Sequence, residues 1–145
     1  MRTLGANWLF WALLSAVFAG LTAIFGKIGV QAVNSDFATF IRTMVVLVLL
    51  AAIVAATGAY QDPATISGRT WLFLVLSALA TGASWLCYYR ALQLGPAAKV
   101  APIDKMSVVV VAVIAVALLG EKLSLRNWLG VGLVAAGGVL VATRP

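Results

Sequence analysis

PAAKVAPIDKMSVVVVAVIAVALL, residues 96–119, is 24 residues long and carries Lys99, Asp104 and Lys105 in otherwise apolar sequence. At about 1.5 Å per residue a helix of this length reaches about 36 Å, enough to cross a bilayer core of about 30 Å. An acid and a base side by side, Asp104 and Lys105, more than a turn into such a segment contradict a lipid-facing helix, because an ionised group at mid-membrane costs at least about 2.5–3.5 kcal/mol. The segment therefore reads as a transmembrane span with one side turned to a polar interior.

The rest of the chain fits that reading. Of 145 residues 63% are hydrophobic, only 10% are charged, and there is no histidine. A soluble domain carries far more charge. Apolar runs at residues 7–33, 37–57, 70–94, 96–119 and 124–142 predict five spans, joined by short links apart from GAYQDPATISGR, residues 58–69. The opening apolar run outlasts the h-region of a cleavable leader and continues past Lys27, so it reads as the first span. The fold class expected is all-α: a polytopic membrane protein, a bundle of five transmembrane helices in a single domain over residues 1–145.

Helix punctuation supports these boundaries. Ser35 and Asp36 are placed to cap the second span, and Ser124 the fifth. Gly95-Pro96 ends the third and opens the fourth, since proline at a first helical position wastes no hydrogen bond. Trp8, Trp11, Trp71 and Trp128 all fall at span ends on the side of the N-terminus, where interfacial tryptophans belong, whereas Trp85 lies deep in the third span. Basic residues near span ends divide weakly, with Arg2, Arg69, Lys122 and Arg126 on that side and Lys99 and Arg144 on the other. Two readings follow: either insertion needs little bias here, or the protein inserts both ways and pairs with an inverted copy.

Five ionisable residues, Lys27, Arg42, Arg90, Asp104 and Lys105, fall inside spans, on four helices and at similar depth. Long Lys and Arg stems can snorkel to the headgroups, a reading that suits Arg90. Aspartate is too short for that, so Asp104 needs a cation, which Arg42, Arg90 or Lys27 is placed to supply. Lys105 lies about 100° around a regular helix from Asp104, so the two need not pair. Lys27 follows a stripe of small residues, Ala12, Ala16, Gly20 and Ala23, set apart from a bulky stripe of Phe10, Leu14, Val17, Leu21, Ile24 and Ile28. Small faces let membrane helices approach, which turns Lys27 inward.

Trp85, Tyr88 and Tyr89 stand beside the charged positions of the third span, as flanks of a binding cleft or as ordinary packing. Pro102 removes a backbone donor and loosens the fourth span beside its charges. Four cations against one anion suit an anionic or zwitterionic solute. The basic residues are dispersed, which excludes a nucleic-acid surface. The lone Cys87 and the lack of histidine give no metal set, no cofactor is implied, and no G-x-x-x-x-G-K-[ST] loop is present for ATP. With no histidine, cysteine pair or carboxylate pair, the chain reads as no enzyme.

The segment SWLCYYRALQLGPAAKVAPIDKMSVVVVAVIAVALLGEKLSLRNWLGVGLVAAGGVLVA, residues 84–142, closely resembles the second part of an EamA domain of the drug/metabolite transporter superfamily. YYRALQLGPAAKVAPI, the GEKLS turn and the glycine-rich last helix carry the resemblance, and TAIFGKIG fits the opening half. The chain is similar to the small bacterial and archaeal five-span branch, in which one EamA repeat stands alone. That resemblance implies a multi-pass protein of the cytoplasmic membrane, a small-molecule substrate, and a homodimer, antiparallel in arrangement. Gly132, Gly137 and Gly138 resemble the last-helix dimer motif of small multidrug resistance relatives. The first-helix glutamate of those exporters is missing, with Lys27 the only span-one charge, so a metabolite is expected rather than a cationic drug. Two other readings are a small multidrug-type exporter, and a non-transporting membrane subunit or lipid-carrier flippase component.

Overall fold

The structure, a computed structural model, describes residues 7–143. Its elements are α1 (Trp8–Gly29), α2 (Ser35–Thr57), a 3-10 turn (Pro63–Thr65), α3 (Gly68–Leu94), α4 (Ala97–Asp104), α5 (Ser107–Leu118) and α6 (Leu125–Ala142). The described residues contain no strand. Five segments are long and apolar enough to span a membrane: α1, α2, α3, α4 with α5 as one interrupted span (Ala97–Leu118), and α6. The all-α, five-span fold class is the one expected from the sequence. The described chain divides into two compact units, residues 29–93 and the remainder on either side of them.

In the unit of residues 29–93, α2 begins two residues earlier than hydropathy suggested. Its cap is Asn34, whose side chain accepts hydrogen bonds from Asp36 N–H at 2.9 Å and Phe37 N–H at 3.2 Å. Asparagine caps at least as well as serine or aspartate, which frees Asp36 for the first turn, where a negative charge is favoured by the helix dipole. α2 stops at Gly58, whose φ of 63° lies in the left-handed region that glycine enters without steric cost. Along α2 the hydroxyls of Thr39 and Thr43 donate back to the carbonyls of Ser35 and Thr39, at 2.9 and 2.8 Å. Inside a membrane such internal bonding conceals the polarity of a side chain. The buried residues of this unit, Val30, Ser35, Thr39, Tyr89 and Leu92, come from the start of α2, the end of α3 and the segment leading into α2. Gln93 adds a tie there, its side-chain amide donating to the carbonyls of Val30 and Val33.

In the other unit small residues form the packed interior: Ala23 and Gly26 of α1, Ala112 and Ala115 of α5, and Gly138 of α6. Without water, helix association depends on close van der Waals approach, which small side chains permit. The fourth span is interrupted rather than merely loosened. Pro102 cannot donate to Ala98 O, α4 ends at Asp104, and α5 restarts at Ser107. Between them the ladder tightens to three-residue steps: Met106 N–H to Ile103 O at 2.9 Å, Val108 N–H to Lys105 O and Val109 N–H to Met106 O, each at 3.0 Å. An unbroken helix would direct Met106 N–H to Pro102 O. That carbonyl instead lies against Gly138, where an added Cβ would stand 2.9 Å from it. α6 is capped by Ser124, whose hydroxyl accepts from Asn127 N–H at 3.3 Å.

Candidate functional site

The unit of residues 29–93 holds Arg42, Trp85, Tyr88, Tyr89 and Arg90, and the other unit holds Lys27, Asp104 and Lys105. Each set has its own geometry.

Arg42 projects from the α2 face that also carries Thr39 and Ser35, one helical turn and two turns before it. Its guanidinium carbon lies 4.0 Å from the centroid of the Trp85 ring and 5.5 Å from that of Tyr89. Trp85 and Tyr89 are four residues apart on α3, so their rings share a face and both reach the same cation. A desolvated cation over indole gains about 2 kcal/mol. Arg42 Nη1 is buried and has no hydrogen-bond partner, and among the described residues no carboxylate pairs with Arg42. A buried donor left unsatisfied costs about 1–3 kcal/mol, and more when it is charged. The site thus holds a positive group satisfied on its π face and unsatisfied along one in-plane edge, where guanidinium binds oxygen anions. Tyr88 extends the aromatic cluster, its ring centroid 6.4 Å from that of Tyr89 in an edge arrangement.

Trp85 is also one wall of a groove of about 410 Å³ between α2 and α3. The groove is apolar, with Val46, Leu47, Leu50, Leu74 and Ala78 along it. The hydroxyls of Thr43 and Thr81 line it too, but each donates to its own helix, to Thr39 O and Ser77 O.

Arg90 turns away from this arrangement and forms an ion pair with Asp36 at 3.1 Å, both side chains more than half exposed. Asp36, read from the sequence as a cap, is the partner that sequence reasoning missed. The signal was present in Asn34, the better-placed cap, which left a carboxylate over at the start of α2.

In the other unit, Lys27 Nζ donates to Gly95 O at 2.9 Å, and the ammonium is partly buried. It lies beside Ala23 and Gly26, the buried residues of α1. Asp104 departs from expectation. Its cation is Lys105, at 3.3 Å, not a residue of another helix. The 100° separation that argued against this pairing belongs to a continuous helix, and the tightened turn after Pro102 swings the two side chains to one side. Among the last-helix glycines, Gly138 is buried against α4 within the same chain, whereas a Cβ on Gly132 or Gly137 would meet open space. Arg2 and Arg144 lie outside the described residues. No group of three or more metal-ligating side chains occurs among the described residues.

The EamA-like transporter family pattern matches residues 6–143, the whole of this architecture from before α1 to the end of α6. The chain belongs to the EamA-like transporter family. It is 66% identical over 136 residues to a Sinorhizobium sp protein named an uncharacterized transporter in the cobO 3′ region, covering 94% of this chain and 96% of that one. No solved structure is significantly similar. Within this EamA-like chain, the Arg42–Trp85–Tyr89 cluster brings together a charge, two aromatic rings and an unmet hydrogen-bond donor.

Proposed function

We propose that this protein is a secondary carrier that moves a small anionic or zwitterionic metabolite across the cytoplasmic membrane by alternating access. The single observation that carries the solute's charge is the buried, unpartnered Nη1 of Arg42, held over Trp85 and Tyr89. Membership of a transporter family supports the carrier role. Lys27, Asp104 and Lys105 supply further charge inside the spans: Asp104 and Lys105 neutralise one another at the break in the fourth span, and Lys27 holds the carbonyl of the turn between α3 and α4.

The carrier works as a homodimer of two single five-span domains, inserted antiparallel. The weak Lys and Arg bias between the two sides favours this arrangement, and the open faces at Gly132 and Gly137 on α6 suit close approach of a second copy. Gly138 is already occupied within the chain and takes no part in that contact. Export of cationic drugs is the weaker reading, because the charge on α1 is Lys27 rather than an acid.

Counterflow into proteoliposomes holding only this protein tests the proposal. A panel of amino acids and organic acids, read by solid-supported membrane electrophysiology, should give a saturable current for at least one solute, and Arg42→Gln should remove it. A protein that moves nothing alone is instead a subunit of a larger assembly. Compartment reporters fused to the C-terminus should signal from both sides of the membrane, and signal from one side only defeats the antiparallel dimer.

A further inference from the structure

The groove and the cation meet at Trp85, and together they define a ligand more narrowly than charge alone. The groove is walled mainly by aliphatic side chains, and the hydroxyls of Thr43 and Thr81 donate to their own helices, so the Ser77 hydroxyl and the Trp85 indole N–H are the few polar groups it offers a solute. Its volume of about 410 Å³ lies within the range of about 300–1,000 Å³ typical of small-molecule sites. Thr43, the neighbour of Arg42 in sequence, lines it, and the guanidinium of Arg42 stacks on the Trp85 ring that forms one of its walls, with Nη1 buried and unmet.

We infer that the α2–α3 groove binds a carboxylate with an apolar or aromatic body: the body lies along Val46, Leu47 and Ala78, and the carboxylate reaches Arg42 past the edge of Trp85. A wholly polar metabolite gains little from such walls, and a neutral apolar one leaves the Arg42 edge unmet. The apolar body supplies about 25 cal/mol for each Å² it removes from water, and the carboxylate supplies charge-assisted hydrogen bonds to a group that has no other acceptor. This inference rests on the carrier reading for its biological meaning, but it is tested by binding, so the two fail separately.

The probe is radiolabelled 3-phenylpropionate, with the purified full-length protein in phosphatidylcholine nanodiscs and binding read by scintillation proximity. Saturable binding is expected. Arg42→Gln should weaken it by about tenfold or more, equivalent to about 1.4 kcal/mol. Acetate, which lacks the body, and 3-phenylpropanol, which lacks the charge, should each compete at least about tenfold less well. Gly82→Leu is the second variant: Gly82 lines the groove and a Cβ there meets open space, so leucine fills the groove without straining the helix. It should abolish binding while the protein keeps its size-exclusion profile.

Undiminished affinity in either variant, or acetate competing as well as phenylpropionate, overturns the inference. Native mass spectrometry separates the other occupants. An anionic phospholipid retained by the wild type and lost from Arg42→Gln, with no phenylpropionate binding, assigns the groove to lipid. Conversion of a dimer to a monomer by Gly82→Leu assigns it to a second copy. Either result overturns the inference. Counterflow of a small polar amino acid without phenylpropionate binding leaves the carrier standing and removes only this substrate class.

Discussion

Gly138→Ala is the sharpest test of how the interrupted span is held. The added methyl would stand 2.9 Å from Pro102 O, with Pro102 C and Met106 Sδ each at 3.6 Å. The methionine sulfur ends a flexible side chain and can yield. The carbonyl cannot, because it belongs to the last turn of α4, whose position is set by the tightened hydrogen bonds from Lys105 to Val109. Forcing one extra carbon into such a contact costs about 1–3 kcal/mol. Gly137→Ala is the matched control: its methyl meets open space, and alanine is favoured over glycine within a helix by up to about 1 kcal/mol. Alanine's propensity gain is common to both, so the two variants should differ by about 1–3 kcal/mol in unfolding free energy although they change adjacent residues identically. Steric trapping, or sodium dodecyl sulfate titration followed by far-ultraviolet circular dichroism, measures this difference. If the two unfold within about 0.5 kcal/mol of each other, the close packing of α6 on the break is refuted.

Three further outcomes are expected. Asp36→Asn should cost less than about 1 kcal/mol of stability, and the cost should fall as salt is raised, because the Asp36–Arg90 pair is more than half exposed; thermal unfolding at two ionic strengths checks this. Lys27→Met leaves Gly95 O without its ammonium donor and should lower stability by about 1–3 kcal/mol, read by the same titration, and it should also abolish counterflow. Cys87, exposed in the isolated chain on a membrane-spanning helix, should resist a charged methanethiosulfonate in intact membranes and react after denaturation. Labelling beforehand would mean that water reaches that face of α3.

The five spans were legible because hydropathy over 18 or more residues is a strong signal, and the helix ends were legible to within a turn. The early start of α2 escaped because three capping residues, Asn34, Ser35 and Asp36, stand in a row, and hydropathy cannot rank them. The interruption at Lys105–Met106 was foreshadowed by Pro102, but its geometry was not. A proline says only that a donor is lost, not how the neighbouring carbonyls find new partners. That unforeseen geometry is also why Asp104 takes Lys105 as its cation. Of the candidate site, the residue types were readable and the pairings were not. Trp85 was visible as the one tryptophan away from an interface, whereas its stacking on Arg42 depends on the register of α2 against α3, which no pattern in one helix encodes. The groove escaped entirely, being made of residues ordinary in any membrane span.

The buried residues that α2 and α3 share lie at one end of the pair. Ser35, Thr39, Tyr89 and Leu92 are buried there, and farther along the hydroxyls of Thr43, Thr57 and Thr81 bond to their own helices. From Thr39 to the end of α2 at Thr57 is about 27 Å of rigid rod, so each 5° of tilt at the buried end carries the far tip about 2 Å. For the ligand inferred above, such a lever would let a few side chains beside the fulcrum set how wide the groove opens, so that bodies of different girth would fit without rebuilding any wall.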